Sequence, residues 1–311
     1  MPAETPTELC PHNFFTLKDG GRLRYARFET AHASRGTVLV IPGRREFIEK
    51  KFAELGQPLL DAGWRLIVVE PRGQGLSTRV LSGSMRQRDH IDDFDTHLND
   101  LRAFYDAVVK PELTTTPLIV HGHSLGGHLT LRWLAEDNPA ITAAFLTSPM
   151  MALSGMPAHL VAHGLSWFNV RLFGHAYEYA PLQHDFNAED CVFADNVLTQ
   201  DAARFPIIEN YFAAHPDMAV GGVTWGWLLA ALKSMQHAHT LPYLGRIAVP
   251  VLAILGAEDK VTPAKETAPT LNFIPRVQTH IIDKCRHDVM NEITPARDEA
   301  WRLIDEFLGK F

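Results

Sequence analysis

Short apolar runs alternate with longer amphipathic stretches along most of this sequence. The run TVLVI at 37–41 is largely β-branched and stops at Pro42-Gly43, as a buried strand does. The stretch 91–109 instead repeats its apolar residues at spacings of three and four, which is typical of an amphipathic helix. Alternation of this kind predicts an α/β fold, in which a mostly parallel sheet is flanked by helices on both faces.

The pattern continues along the chain and sets the order of the predicted elements. Residues 13–28 predict two strands joined by a hairpin turn at Asp19-Gly20-Gly21. Further strands are predicted at 37–41, 65–69, 117–121, 143–147, 249–256 and 277–283. Helices are predicted at 47–62, 91–109, 125–136 and 295–310.

Residues 152–236 interrupt this alternation, because they favour helices and lack clear strands. They contain 12 of the 29 aromatic residues of the chain. We interpret them as a mainly helical cap inserted into an α/β core formed by 1–151 and 237–311, since ligands bind at the carboxyl ends of strands in open α/β sheets and insertions favour the same place. The alternative is an ordinary helical layer whose aromatic residues only form its own core.

The net charge of the chain bears on which partners it binds, and its cysteines bear on the redox compartment that suits it. A net charge of −7 over 311 residues does not suit non-specific binding to nucleic acid. Cys10, Cys191 and Cys285 are far apart, form neither a metal-binding spacing nor a disulfide framework, and suit a reducing cytosol. No signal peptide and no membrane-spanning stretch are predicted, so we expect a cytoplasmic protein with at most peripheral membrane contact.

The segment LIVHGHSLGGHL at 118–129 contains the pattern G-x-S-x-G between a predicted strand and a predicted helix. Such a turn exposes the hydroxyl of Ser124, and side chains at Gly122 and Gly126 would collide with their surroundings. The N-terminus of the following helix offers backbone N–H groups to a developing oxyanion. Ser124 is therefore predicted to be a nucleophile, and the alternative is a plain Ser-Gly turn.

A serine nucleophile needs a base and an acid, and in a fold of this kind the acid and then the histidine follow the serine along the chain. The loop GAEDKVT after one predicted strand holds Asp259, and the loop KCRHDVMNE after the next holds His287. Glu258 and Asp288 are rivals for the acid. We favour Asp259, because Glu258 would point elsewhere from the same loop and Asp288 adjoins the base itself.

An oxyanion hole needs two N–H donors. Leu125, directly after the predicted nucleophile, supplies one of them. Arg44, in the loop PGRREF after the strand at 37–41, supplies the other through its backbone. The side chain of Arg45 is expected to be solvated.

Three further histidines flank Ser124 in sequence, namely His121, His123 and His128. None lies on a loop that approaches the serine from the correct side, so structural or pocket-lining roles are expected for them. No His, Cys or Asp cluster has zinc spacing, and neither a dinucleotide-binding G-x-G-x-x-G nor a phosphate-binding loop is present. We expect neither a metal nor a cofactor.

With these residues placed, the sequence resembles the serine hydrolases of the α/β-hydrolase superfamily that include bacterial lysophospholipase L2 and monoacylglycerol lipases. PGRREF and EPRGQGLS resemble that family's oxyanion loop and the turn after its next strand, and GHSLGG matches its nucleophile region. FADNVLTQDAARF and VGGVTWGWL resemble cap segments of the lysophospholipase L2 branch, and HDVMNE resembles the segment that carries the catalytic histidine. Carried over by position, the resemblance implies the triad Ser124, Asp259 and His287 and the oxyanion donors Arg44 and Leu125.

The residues and the resemblance together predict a serine carboxylic-ester hydrolase that acts on a small lipid-like ester through an acyl-enzyme. A peptidase or a C–C hydrolase on the same triad stays open, because the shape of the pocket decides the leaving group. A non-catalytic binding protein on this fold is a further alternative. The predicted cap has three basic residues, Arg171, Arg204 and Lys233, against eight Asp and Glu, which suits an acyl chain better than an anionic phosphate.

Overall fold

Eight strands form one sheet in the computed structural model, which describes residues 8–113, 116–137, 139–154, 159–240 and 242–311, the side chains of 159–162 excepted. The strands are β1 (Asn13–Thr16), β2 (Arg22–Phe28), β3 (Gly36–Ile41), β4 (Trp64–Val69), β5 (Leu118–His123), β6 (Ala143–Thr147), β7 (Val251–Gly256) and β8 (Val277–Ile282). Their order across the sheet is β1-β2-β4-β3-β5-β6-β7-β8. β2 is antiparallel to β1 and β4, and the remaining neighbours are parallel, so the predicted mostly parallel sheet is confirmed.

Helices pack against both faces of this sheet. They are α1 (Ile48–Lys51), α2 (Gln57–Asp61), α3 (Phe94–Phe104), α4 (Leu125–Asp137), α5 (His159–Trp167), α6 (Ile207–Ala214), α7 (Trp225–Ala238), α8 (Ala264–Leu271) and α9 (Thr294–Leu308). A π-helical turn at Phe52–Gly56 joins α1 to α2, so the predicted helix at 47–62 is one continuous helical stretch. Among the described residues, we find no helix with the length and apolar character needed to cross a membrane.

The central strand β3 shows how the sheet divides the core into two sides. Val38 and Val40 pack on one side, in the same cluster as Leu55 and Leu59. Leu39 and Ile41 pack on the other side with residues of α3 and α4. Because β3 is buried on both faces, its sequence is a continuous apolar run rather than an alternating one. Burial of each such aliphatic side chain contributes about 1.5–3 kcal/mol.

Helix α3 begins three residues later than the apolar spacing from residue 91 predicts. The carboxylate of Asp93 accepts a hydrogen bond from the backbone N–H of Asp95 at 2.9 Å and caps the helix. Ile91 lies before this cap, and it is buried without being helical. An N-cap of this kind stabilises a helix by about 1 kcal/mol and fixes where it starts.

The segment 152–236 contains α5, α6 and all but the last two residues of α7, and much of the chain between α5 and α6 is irregular apart from short helical turns. α5 packs against α7. Most of α7 is buried, and its Leu228 and Leu232 belong to the same hydrophobic cluster as Leu39 and Ile41 of β3. The division of the chain into a core and a cap therefore stays a prediction, because α7 packs into the same hydrophobic cluster as the sheet.

Candidate active site

Ser124 occupies a strained turn between β5 and α4. Its backbone φ is 50°, a left-handed value that costs a non-glycine residue roughly 1–3 kcal/mol. The neighbouring backbone is packed very closely, because a Cβ on Gly126 would lie 1.9 Å from the carbonyl oxygen of Ile41, and one on Gly122 would lie 2.6 Å from the carbonyl oxygen of Gly126. Glycine at these two positions is what allows the turn to form.

Asp259 and His287 meet at the carboxyl ends of β7 and β8. The Nδ1 atom of His287 lies 2.8 Å from Oδ2 of Asp259. The other carboxylate oxygen accepts the backbone N–H groups of Val261 at 2.7 Å and Thr262 at 2.9 Å. Because a carboxylate only accepts hydrogen bonds, Nδ1 carries a proton, and in the neutral imidazole the free lone pair is then on Nε2.

The electrostatic surroundings keep Asp259 ionised. Burial alone favours the neutral acid, but the interaction with His287 and the hydrogen bonds from Thr262 and Val261 lower the pKa of Asp259 below its ordinary value. A charged carboxylate at this position can stabilise an imidazolium that forms on His287.

The two rival acids have other partners. The carboxylate of Glu258 is exposed and lies 3.3 Å from the side-chain amide of Gln200. Asp288 is buried and accepts hydrogen bonds from Lys50 at 2.8 Å and Asn291 at 2.9 Å. Burial opposes its ionisation, but the Lys50 ammonium lowers the pKa of Asp288 to about 2. The contacts therefore favour Asp259 as the partner of His287.

His287 lies next to the turn that carries Ser124. Its ring centroid is 5.0 Å from that of His123, the residue directly before the serine. Burial lowers the pKa of His123 to about 3, so this ring is neutral. Its Nδ1 lies 2.9 Å from Oγ1 of Thr147. The turn and the two loops after β7 and β8 thus come together at one edge of the sheet.

The other two flanking histidines, on β5 and α4, are buried and contact neighbouring elements. Nδ1 of His121 donates to the carbonyl oxygen of Phe145 at 3.1 Å. Nε2 of His128 lies 2.6 Å from the hydroxyl of Ser234 on α7. Burial lowers the pKa of His128 to about 3 and that of His121 well below its usual value. These contacts agree with the structural roles expected from the sequence.

The loop after β3 leaves one amide available beside Ser124. The N–H of Gly43 donates to Glu46 at 2.6 Å, and the N–H of Arg45 donates to Gln74 at 2.7 Å. Between them, the N–H of Arg44 has no protein acceptor within the described ranges. The same holds for Leu125, the first residue of α4. Within the described residues, neither predicted oxyanion donor is therefore engaged in a hydrogen bond.

The side chains of the two arginines are not solvated as a pair. Nη1 of Arg44 donates to the carbonyl oxygen of Gly221 at 2.8 Å and lies 3.7 Å from Asp89. The expectation of a solvated Arg45 is wrong, because its guanidinium lies over the rings of Phe186 and Phe212 at 5.7 and 5.6 Å. Cation–π contact with an aromatic cluster that is distant in sequence explains the difference.

A cavity of about 530 Å³ lies against the loops after β3 and β7. Its wall is mainly apolar and includes Leu153, Ala180, Val223, Trp225, Trp227 and Leu228. Arg44 and Lys260 also line it, and none of the described lining residues is acidic. The sequence-based count of cations missed these two residues because it was confined to 152–236. The available signal was that Arg44 is itself a predicted oxyanion donor and that Lys260 directly follows Asp259.

Comparison with known proteins agrees with this architecture. Residues 32–294 match the family described as serine aminopeptidase, S33, and the chain belongs to this hydrolase family. Lysophospholipase L2 of Escherichia coli strain K12 is 29% identical over 249 residues, which cover 79% of this chain and 70% of that protein. Probable lysophospholipase L2 of Haemophilus influenzae is 21% identical over 303 residues, which cover 97% of this chain and 93% of that protein.

A solved structure shows the same fold. A soluble variant of monoglyceride lipase from Saccharomyces cerevisiae, in complex with a substrate analog, superposes with a TM-score of 0.76 at 18% identity. The superposition covers 99% of this chain and 98% of that one. The predicted α/β-hydrolase fold and the resemblance to the lysophospholipase L2 and monoacylglycerol lipase group are thereby confirmed.

Proposed function

We propose that this protein is a serine carboxylic-ester hydrolase that acts on lipid-like esters through an acyl-enzyme. The observation that carries the proposal is the contact between Asp259 and His287 beside the strained turn of Ser124. In this arrangement the carboxylate orients a neutral imidazole, whose Nε2 is the base that a serine hydroxyl needs.

The first half of the proposed reaction forms the acyl-enzyme. Nε2 of His287 takes the hydroxyl proton as Oγ of Ser124 attacks the ester carbonyl carbon. The negative charge that develops on the carbonyl oxygen is held by the backbone N–H groups of Arg44 and Leu125. The tetrahedral intermediate then collapses, the bond to the alcohol breaks, and the imidazolium gives its proton to the leaving oxygen.

The second half releases the acid and restores the enzyme. Water gives a proton to His287 and attacks the acyl carbon, and the same two amides hold the second oxyanion. Collapse of this intermediate breaks the bond to Oγ of Ser124, which recovers its proton from the imidazolium. The charge of Asp259 stabilises the imidazolium in both halves.

The cavity supports an apolar acyl group as the part of the substrate that is bound. Its volume of about 530 Å³ lies in the range of small-molecule sites, and its wall is mostly aliphatic and aromatic. Part of that wall comes from 180–183 and 223–228, so we propose that the segment 152–236 acts as a cap over the site. The names of the relatives, lysophospholipase and monoglyceride lipase, fit the same substrate class.

A peptidase is the second candidate, because the matching family is described as a serine aminopeptidase. An enzyme that recognises the N-terminus of a peptide has to bind a cationic amine, for which a carboxylate is the usual partner. The described lining of the cavity has two cations, Arg44 and Lys260, and no carboxylate. This charge favours a neutral or anionic ester over a cationic peptide terminus.

Replacement of the serine tests the proposal. Ser124→Ala is expected to abolish turnover of p-nitrophenyl esters and of monoacylglycerols while the circular dichroism spectrum stays that of the folded protein. A fluorophosphonate probe should label the unchanged protein at Ser124 and leave the variant unlabelled. Ester hydrolysis that persists in the variant contradicts the assignment, and an unchanged protein that resists the probe favours a binding protein.

A panel of substrates tests the substrate class. Monoacylglycerols and medium-chain esters are expected to be hydrolysed at least as well as anionic lysolipids, and aminoacyl anilides much more slowly. A strong preference for the anilides supports the peptidase instead. A strong preference for anionic lysolipids contradicts the expectation for the headgroup and leaves the serine mechanism intact.

A further inference from the structure

Five buried charged residues lie beneath the candidate active site. This buried charge cluster consists of Glu46, Lys50, Lys51, Glu54 and Asp288, and each of these side chains is less than a tenth exposed. Charged groups are costly to bury unless they are paired, and here two lysines pair with three carboxylates. None of the five has a part in the chemical steps described above.

Lys50 is the member that directly contacts both the loop after β3 and the loop after β8. Its ammonium donates to Glu46 at 2.6 Å, to Asp288 at 2.8 Å and to Glu54. An ammonium has three N–H donors, and these three carboxylates use all of them. Burial alone favours the neutral amine, but the surrounding carboxylates raise the pKa of Lys50 well above its usual value.

Two of these carboxylates are attached to the loops that carry the catalytic groups. The second oxygen of Glu46 accepts the N–H of Gly43 at 2.6 Å, next to the predicted oxyanion donor Arg44. Asp288 directly follows the predicted base, His287. The ammonium of Lys50 therefore connects the oxyanion loop after β3 with the histidine loop after β8, which are more than 200 residues apart in sequence.

A metal ion is the other cation that could fill this place. Donor atoms of Glu46, His123 and Asp288 lie within 4.8 Å of one another. The ammonium of Lys50 already bridges the two carboxylates, and Nε2 of His123 is 3.8 Å from Glu46. The protein's own cation supplies the charge that a metal would bring, so the cluster is better described as a structural bridge.

We propose that Lys50 is a positioning residue, whose ammonium holds the oxyanion loop and the histidine loop in one relative arrangement. The inference rests on the proposed function, since it assigns both loops a part in catalysis. Reacting groups have to be held close to their productive geometry, and a displacement of about 1 Å can cost about 100-fold in rate. Loss of the bridge should therefore slow the chemical step and leave the binding of the acyl group unchanged.

Lys51 provides the matched control. It is the next residue, it is as deeply buried, and its ammonium contacts Glu46 and Glu54 at 2.7 Å each. The described contacts of Lys51 do not include Asp288, so it does not connect the two loops. Lys50→Met and Lys51→Met remove the same charge from the same cluster, and only the first removes a direct contact with Asp288.

The experiment compares kcat and KM for a p-nitrophenyl ester, the rate of fluorophosphonate labelling and Tm in the three proteins. In Lys50→Met, kcat and the labelling rate should fall by about 30- to 100-fold, with KM changed by less than about threefold. Tm should fall by a similar amount in Lys50→Met and Lys51→Met, because both lose a buried charge from the same cluster. In Lys51→Met, kcat should be reduced by less than about fivefold. Equal losses of kcat in the two variants, or a folded Lys50→Met that is labelled at the normal rate, overturn the proposal.

A second variant keeps the proposal open to contradiction if Lys50→Met does not fold. Asp288→Asn keeps the size of the side chain and weakens the same bridge from the histidine loop. It is expected to lower kcat by roughly tenfold with little change in KM, and an unchanged kcat overturns the proposal. If the unchanged protein is not labelled at Ser124, the proposed function fails first and this inference falls with it, whereas normal labelling of all variants contradicts the inference alone.

Discussion

The Oδ2 atom of Asp259 lies 2.8 Å from Nδ1 of His287, across two loops that follow neighbouring strands. Two backbone amides of the same loop donate to the other oxygen, Oδ1, and the hydroxyl of Thr262 donates to Oδ2 at 2.9 Å. An acid that is fixed in this way leaves the imidazole one favourable orientation, with Nε2 directed away from Asp259. The geometry therefore presents a base whose tautomer is already set before a substrate arrives.

The first prediction concerns this contact. Asp259→Asn should lower kcat for esters on the order of 10³- to 10⁴-fold, the scale seen in serine proteases, because the amide no longer selects the productive tautomer. Steady-state kinetics on a p-nitrophenyl ester measures the loss. Glu258→Gln, the adjacent and exposed position, is the control and should change kcat by less than about twofold. A similar loss in both variants contradicts the choice of Asp259 as the acid.

The second prediction separates the backbone of Arg44 from its side chain. Arg44→Ala keeps the N–H and loses the contact with the carbonyl oxygen of Gly221, so kcat should change by less than about threefold. Arg44→Pro removes the N–H itself, and loss of one oxyanion donor should lower kcat by about 100- to 1,000-fold. Pre-steady-state acylation rates distinguish the two variants. A large loss of kcat in the alanine variant shows that the side chain acts in the reaction.

The third prediction concerns the charge of the cavity. Lys260 lines it, and within the described residues it makes no ion pair. Lys260→Gln should lower kcat/KM for an anionic lysolipid by roughly three- to tenfold and leave a monoacylglycerol unaffected, with a smaller difference at high salt. Lys265→Gln, an exposed lysine on α8, is the control. Equal effects of Lys260→Gln on both lipids would show that the headgroup does not reach this side chain.

The fourth prediction links a buried carboxyl to the dependence of stability on pH. Glu70 accepts the N–H of Leu76 at 2.8 Å and pairs with Arg24 at 2.9 Å. Burial raises the pKa of Glu70 to about 7, although Arg24 opposes the shift. The folded protein thus holds a proton here that the unfolded chain releases near its ordinary pKa of about 4.3.

The sign of the effect follows from proton linkage. The contribution of Glu70 is fully present below about pH 4.3 and is lost as the pH rises to about 7, by up to roughly 4 kcal/mol of unfolding free energy. Glu70→Gln removes this dependence, so the stability of the unchanged protein relative to the variant should decrease over that interval. Urea unfolding at several pH values measures the difference. A constant difference across the interval contradicts the prediction.

Local sequence determined most of the architecture. The apolar run at 37–41 predicts a buried strand, and the structure places β3 there, because burial on both faces requires apolar side chains at consecutive positions. The glycines at 122 and 126 predict a tight turn around Ser124, since backbone atoms approach closer than a Cβ permits. The order of Ser124, Asp259 and His287 along the chain also favours one triad. These features depend on neighbouring residues or on strand order, which the sequence shows directly.

Contacts between distant segments decided the rest. The sequence offers Glu258, Asp259 and Asp288 as acids, and their partners distinguish them only after the chain has folded, when Asp288 meets Lys50 across 238 positions. The cation–π contacts of Arg45 are formed in the same way. Burial and charge pairing depend on which side chains come together in the folded chain. A local sequence pattern does not predict contacts between residues that are distant in sequence. The tertiary structure therefore determined the charge of the cavity and the bridge beneath the site, while the sequence alone determined the strands, the turn and the order of the candidate catalytic residues.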